Sequence, residues 1–330
     1  MPPSPHTFGS LTPDCVLGLV EAALGQRCNG ICRSRASYIN RVYEIGLDDG
    51  SFVIAKFYRP GRWSRAALLD ELEFVAELAA DELPVVPPLL GRDGERLRMT
   101  GDTPFALFPR VGGRPLEEPT PEEWQQLGRL LARLHSVGAR HAPRDRVTLA
   151  PDRSLATHAS FLLQSGLIPG RQREEFHAEI EALQETITPM FADVARIRIH
   201  GDCHRGNILH RPGGAFHLID FDDMALGPAM QDVWMLLPGH PSDSRAELDA
   251  MAEGYETFRP FDWDQLRLVE ALRAMRYVHY AAWCGRQQLD QGFVQTAPGW
   301  GTPEYWQQEI DQLARQREEI GATSGGGMPD

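Results

Sequence analysis

A change of pattern near residue 110 constrains this chain most. Before it, apolar side chains recur at the two-residue period of strands; after it, they recur at helical spacing. Asp48-Asp49-Gly50 is a hairpin signal between Arg41–Leu47 and residues 51–58, both rich in β-branched and aromatic residues. In the second run Phe52, Ile54 and Lys56 share one face and Val53, Ala55 and Phe57 the other. Residues 64–80 space Leu68, Leu72, Val75 and Leu78 as a helix does, with Ser64 placed to cap it. Glu71 and Glu73 are its candidate inward-facing acids. Strand-like runs follow at 96–99 and 105–108, and Val111-Gly112-Gly113-Arg114-Pro115 reads as a linker. Trp124, Leu127, Leu130, Leu131 and Leu134 mark one amphipathic helix, and Leu268, Leu272, Met275 and Val278 mark another over 266–283. Short strands are expected at 196–199 and 216–219. The pattern predicts an α+β chain: a small β-rich unit with one helix over 1–110, a linker over 111–115, a helical unit over 116–320 and a disordered tail over 321–330.

Composition removes several alternatives. No apolar run reaches the ~18 residues of a membrane span, and the N-terminus lacks the pattern of a secretory leader, so a soluble cytoplasmic protein is the expectation. The net charge of −13 disfavours nucleic acid and anionic membranes as partners. Five scattered cysteines do not make a disulfide framework, and Cys28 and Cys32 lack a second pair to complete a metal site. Lys56 is the only lysine among 33 basic residues. A chain that otherwise uses arginine for its cations keeps a compact ammonium here, which points to a site that needs one.

The chemistry concentrates in His200-Gly201-Asp202-Cys203-His204-Arg205-Gly206-Asn207. Phosphoryl transfer from a nucleotide needs a carboxylate to orient the acceptor hydroxyl, oxygen ligands for Mg²⁺ and a cation on the phosphates. Asp202 and Asn207 have the spacing of a kinase catalytic-loop aspartate and its metal-binding asparagine, and a short apolar run then delivers Asp220. Lys56 with Glu71 would complete the set, with Glu73 the other candidate acid. Asp222 and Asp223 compete with Asp220 for the metal. His200, Asp202 and His204 could instead belong to a metallohydrolase loop, but the further acid and histidine motifs such a fold needs are not evident upstream. His135 reads as a buried, hydrogen-bonded histidine, and Asp232 as a brace for the catalytic loop.

The pattern His-x-Asp-x-x-x-x-Asn followed by Leu218-Ile219-Asp220 resembles the aminoglycoside/choline/homoserine kinase-like family of the protein-kinase-like fold. Ser37-Tyr38-x-Asn40-Arg41-Val42-Tyr43, Lys56-Phe57-Tyr58-Arg59-Pro60-x-Arg62-Trp63, Gly227-Pro228-Ala229-x-Gln231-Asp232-x-Trp234 and Glu270-x-Leu272-Arg273-Ala274-Met275-Arg276 narrow the resemblance to bacterial protein kinases of the stress response. It implies a two-lobed protein-kinase-like fold, with a small β-rich N-lobe and a larger helical C-lobe, that uses ATP and Mg²⁺. Asp202 would accept the proton, and Asn207 and Asp220 would hold Mg²⁺. Ser37 would contact phosphate from a loop, Arg35-Ala36-Ser37-Tyr38-Ile39, that lacks the usual glycines. Lys56, positioned by Glu71, would bind the α- and β-phosphates, and adenine would stack on the 105–110 strand at Phe108. The implied acceptor is a serine or threonine hydroxyl on a protein, and the enzyme a monomer. A small-molecule kinase and a non-catalytic ATP-binding regulator remain as alternatives. No Ser, Thr or Tyr lies between Asp220 and Asp232, so no phosphosite is expected in that loop and constitutive activity is.

Overall fold

The structure, a computed structural model, describes residue 8 and residues 11–37, 39–210, 216–288 and 299–325. It opens with helix α1 (Pro13–Leu24). Thr12 caps the first turn through its hydroxyl, Pro13 takes the first helical position and Gly25, at φ 68°, ends the helix. The expected single N-terminal helix is therefore two. Burial of Val16, Val20 and Ala23 against the neighbouring sheet stabilises the added helix.

That sheet is antiparallel, in the order β1 (Cys28–Arg35), β2 (Arg41–Leu47), β3 (Phe52–Phe57), β5 (Thr103–Pro109), β4 (Arg98–Thr100). The expected hairpin joins β2 to β3 and turns at Gly50, whose φ is 84°. Val53, Ala55 and Phe57 bury on the α1 side. Ile54 and Lys56 stand on the opposite face, as the strand period requires. Helix α2 (Arg65–Ala80), capped by Ser64, packs Leu68 and Leu72 beside Tyr58 and Ala106. Its far end, Phe74, Val75 and Leu78, joins the large core of the helical region.

The connection to that region is shorter than expected. Arg114–Pro115, placed in the linker by sequence, form strand β6, which pairs with β8 (Ile208–His210). Helix α3 (Pro121–Gly138) begins with a capping box between Thr120 and Glu123. Next come α4 (Ala156–Gln164), entered through a wide turn at Pro151–Leu155, and α5 (Gly170–Ile187). Strand β7 (Ile197–Ile199) leads into the 200–207 loop, and β8 pairs with β9 (His217–Leu218). Strand β10 (Ala225–Gly227) pairs back onto β7. Helices α6 (Met230–Trp234), α7 (Arg245–Tyr255), α8 (Val269–Gln287) and α9 (Pro303–Gly325) follow.

Several expected boundaries move. Residues Trp263–Leu268 form a tighter 3₁₀ turn, so the helix expected from 266 starts at 269. Residues 321–325, expected to be disordered, continue α9 behind the buried Ile320, since extending an existing helix costs far less than starting one. Residues 326–330 lie outside the described residues.

Helices α3 and α7 meet at two glycines. A Cβ on Gly128 would stand 1.9 Å from the Met251 carbonyl oxygen, and one on Gly254 would stand 2.0 Å from that of Gln125. In an exposed helix a Gly→Ala change gains about 1 kcal/mol. Here the backbone of the facing helix blocks the methyl group, so overpacking wins and costs about 1–3 kcal/mol. Gly128→Ala is expected to lower the thermal midpoint; a raised midpoint would refute the close crossing.

Candidate active site

A cleft of about 580 Å³ lies between the sheet and the helical region. Lys56 projects into it from β3. Its Nζ stands 2.5 Å from Asp222 Oδ1, 3.0 Å from Asp220 Oδ1 and 3.8 Å from Glu71 Oε1. Burial opposes the charge on this ammonium. The three carboxylates outweigh it and hold the pKa well above the ordinary lysine value. The lone lysine is thus fixed in its charged form where the sheet, α2 and the 220–224 loop meet.

The two acids left open on α2 separate by geometry. Glu71 is buried, accepts from Tyr58 Oη at 3.1 Å and pairs with Arg146 Nη2 at 2.6 Å. Glu73 pairs with the exposed Arg144 at 3.3 Å and faces outward. Two residues along a helix is a rotation of about 200°, so only one of them can face the cleft. Burial raises the pKa of Glu71, opposed by Lys56 and Arg146.

Asp220 and Asp222 separate in the same way. Asp222 is buried, accepts from Asn40 Nδ2 at 2.5 Å and pairs with Arg62 Nη1 at 3.0 Å as well as with Lys56. Burial would raise its pKa, but Lys56 and Arg62 hold it below the ordinary value. Asp223 is bound by Arg62 Nη2 at 2.7 Å. Asp220 is half exposed and sits at φ 61°, the left-handed region that non-glycine residues seldom occupy. Of these acids Asp220 is the most exposed, and so the most accessible to a bound cation.

Asn207 stands beside it. Its Nδ2 donates to the Asp202 carbonyl at 3.0 Å, and its own carbonyl accepts from Ile219 N at 3.0 Å, one residue before Asp220. The amide oxygen of Asn207 makes no hydrogen bond among the described residues. With the Asp220 carboxylate it supplies hard oxygen donors, and this donor set fits a divalent cation.

The 200–207 loop is held from behind. Asp232 accepts from His200 N at 2.8 Å and Gly201 N at 2.9 Å. His135 bridges Asp232, at 3.2 Å, to Tyr255 Oη, at 2.9 Å. The His200 ring links Asp202 N to the Ile219 carbonyl, tying this loop to the Asp220 loop. Gly201 has φ 85°, and a Cβ there would stand 2.0 Å from the Asp223 carbonyl oxygen. Asp202 then projects into the cleft. One of its oxygens takes Arg276 Nη2 of α8 at 2.6 Å, and the other lies 3.6 Å from His204 Nε2. Ser37 and Phe108 line the cleft on the sheet side, and neither meets the acidic cluster.

Sequence reasoning did not single out Arg146, Arg62 and Arg276 as site residues. Arg146 is fully buried. It donates to the carbonyls of Ala67 and Asp222 as well as to Glu71, and stacks on Trp63 at 4.4 Å. Arg62 and Arg276 lie within the segments that carry the family resemblance, the only signal that could have found them. On the far wall His279 stacks on His158 with ring centroids 4.8 Å apart. Burial pushes His279 down to about 4, with Asp223 opposing and Arg276 and Arg62 adding to the fall. Burial likewise pushes His158 down to about 3, aided by His279 and Arg286.

Comparison with known proteins places this geometry. Residues 31–269 match the phosphotransferase enzyme family, and the chain belongs to it. Stress response kinase A of Escherichia coli (strain K12) is 36% identical over 314 residues, 95% of this chain and 94% of that one. Serine/threonine protein kinase RdoA of Salmonella typhimurium is 38% identical over 285 residues, 85% of each. Among solved structures, the amicoumacin kinase hAmiN in complex with AMP-PNP, Ca²⁺ and Ami superposes with a TM-score of 0.71 at 19% identity, covering 94% of this chain and 93% of that one. A microcompartment-associated aminopropanol kinase gives 0.68 at 18% identity, covering 94% and 99%. The α+β fold is the two-lobed one of these kinases. Among the described residues no helix is long and apolar enough to cross a membrane.

The histidine pair makes stability depend on pH. The folded protein holds both rings below the ordinary value of 6.5, so the unfolded chain takes up protons first as pH falls. Their contribution is complete above about 6.5 and is lost as pH drops towards 4. In chemical denaturation between pH 7 and 4, His279→Gln should lose less stability than the parent; parallel curves would contradict this.

Proposed function

We propose that this phosphotransferase transfers the γ-phosphoryl group of ATP, with Mg²⁺, to a serine or threonine hydroxyl on a protein. The observation that carries the reading is Lys56, the only lysine, held charged by carboxylates from α2 and the 220–224 loop in a cleft that Asp202 enters from the opposite side. The 36–38% identity to chains named stress response kinase A and serine/threonine protein kinase RdoA favours a protein acceptor. The proposed division places the N-lobe over 1–110 and the helical C-lobe over 116–320, with the cleft between them.

In this reading Lys56 engages the α- and β-phosphates, and Glu71, itself fixed by Arg146 and Tyr58, holds the ammonium in place. Ser37 donates to a phosphate oxygen, and the strand carrying Phe108 flanks the base. Asn207 and Asp220 hold the cation. When bound, Mg²⁺ neutralises charge on the phosphate oxygens of the transferred group. Asp202 orients the acceptor hydroxyl and takes its proton. The acceptor oxygen bonds to the γ-phosphorus as the bond from that phosphorus to the β–γ bridging oxygen breaks, and ADP leaves. Arg276 occupies one oxygen of Asp202 and leaves the other for the acceptor, so it acts as a positioning residue.

The second reading, a small-molecule kinase, rests on the fold shared with small-molecule kinases. A radiolabel assay with Mg²⁺ and labelled ATP, offering generic protein substrates beside choline, homoserine and aminoglycosides, separates the two. Labelled protein is expected. Label found only in a small molecule would overturn the protein-kinase reading. Asp202→Ala should cut turnover about 100-fold or more with ATP binding kept, the scale of a lost general base. Unchanged turnover would refute this role for Asp202.

A further inference from the structure

Away from the cleft, three potential metal ligands converge from three separate elements. His240 lies in the loop before α7, Glu270 in the first turn of α8 and Glu319 near the end of α9. His240 Nε2 stands 3.3 Å from Glu270 Oε1 and 3.7 Å from Glu319 Oε1, and the three ligand atoms all lie within 4.8 Å of one another.

The Glu270 side chain is only 8% exposed, and its two oxygens differ. Oε2 accepts from Arg273 Nε at 3.0 Å and from Gln316 Nε2. Oε1 is buried with no hydrogen bond, although His240 Nε2 is 3.3 Å away. A buried carboxylate oxygen left unsatisfied destabilises the fold. His240 therefore approaches this oxygen without satisfying it. With bonds of about 2.0–2.1 Å to a tetrahedral ion, neighbouring ligand atoms stand about 3.3 Å apart.

We propose that His240, Glu270 and Glu319 form a Zn²⁺ site with a water in the fourth position. One imidazole nitrogen with two carboxylate oxygens suits a first-row transition ion better than Mg²⁺ or Ca²⁺, which take oxygen. Two carboxylates and a neutral imidazole also balance the charge of the ion, while Arg273 stays on Oε2. His240 Nδ1 accepts from Ser242 N at 3.2 Å and lies 2.6 Å from Ser242 Oγ, which leaves the ring proton on Nε2. Binding of the ion at Nε2 would move that proton to Nδ1, where the Ser242 hydroxyl can accept it. The ion would fasten α9 and the loop before α7 onto α8, the helix whose Arg276 holds Asp202. The site is independent of the proposed phosphotransfer chemistry.

The test uses the full chain, stripped with EDTA, loaded with Zn²⁺ and dialysed, with bound metal counted by mass spectrometry and the thermal midpoint recorded. One Zn²⁺ per chain and a raised midpoint are expected. Glu319→Gln, an exposed change, and His240→Ala should each weaken binding about 10-fold or more, since even outer-shell partners are worth that much. Asp220→Asn should leave Zn²⁺ binding intact. No retained zinc would overturn the site, leaving a histidine–carboxylate ion pair only. Equal retention in Glu319→Gln and His240→Ala, or loss in Asp220→Asn, would place the ion elsewhere and overturn it as well.

Discussion

The pairing of Lys56 with Glu71, Asp220 and Asp222 is the interaction on which the rest of the candidate site depends. These groups come from a strand, a helix and a loop distant in sequence, and Lys56, Glu71 and Asp222 would each be costly to bury alone. Removing one partner of such a buried pair costs about 3–5 kcal/mol, because the other charge is left uncompensated. Arg146 and Arg62 extend the network, Arg146 from α2 to the Asp222 carbonyl and Arg62 to the side chains of Asp222 and Asp223. The network therefore acts as a joint: the sheet, α2 and the 220–224 loop hold their relative positions because their charges do.

A second joint fixes the 200–207 loop by hydrogen bonds rather than charge pairs. Asp232 takes two consecutive backbone N–H groups, and His135 and Tyr255 hold Asp232 in turn. The His200 ring links the two loops, so Asp202 and Asp220 are positioned by a common framework. Satisfying every buried group in such a chain gives it rigidity, and a partly satisfied one would not hold a carboxylate at a fixed place. The positive φ of Asp220 is tolerated because both flanks are tied down.

Much of the fold was legible in the sequence where local rules act alone. The Asp48-Asp49-Gly50 turn, the alternation along β3 and the Ser64 cap were read correctly because each depends on neighbours a few residues away. Helix α1 carried comparable signals in Thr12, Pro13 and Gly25, which were passed over. The start of α8 and the pairing of Arg114–Pro115 were misplaced for another reason: a 3₁₀ turn and a two-residue strand are set by what packs against them. Arg146 could not be distinguished in a chain where nearly every cation is arginine.

The sequence by itself determined the chemistry on offer: one lysine, an aspartate and an asparagine five positions apart in a tight loop, and a further aspartate after a short apolar run. It left paired choices open, Glu71 or Glu73 and Asp220 or Asp222. Tertiary structure gives each a different environment, since neighbouring acids on one helix or loop are chemically alike until packing buries one against cations and turns the other to solvent. Glu71 and Asp222 were buried into the network, Glu73 was turned outward, and Asp220 was left half exposed in the cleft.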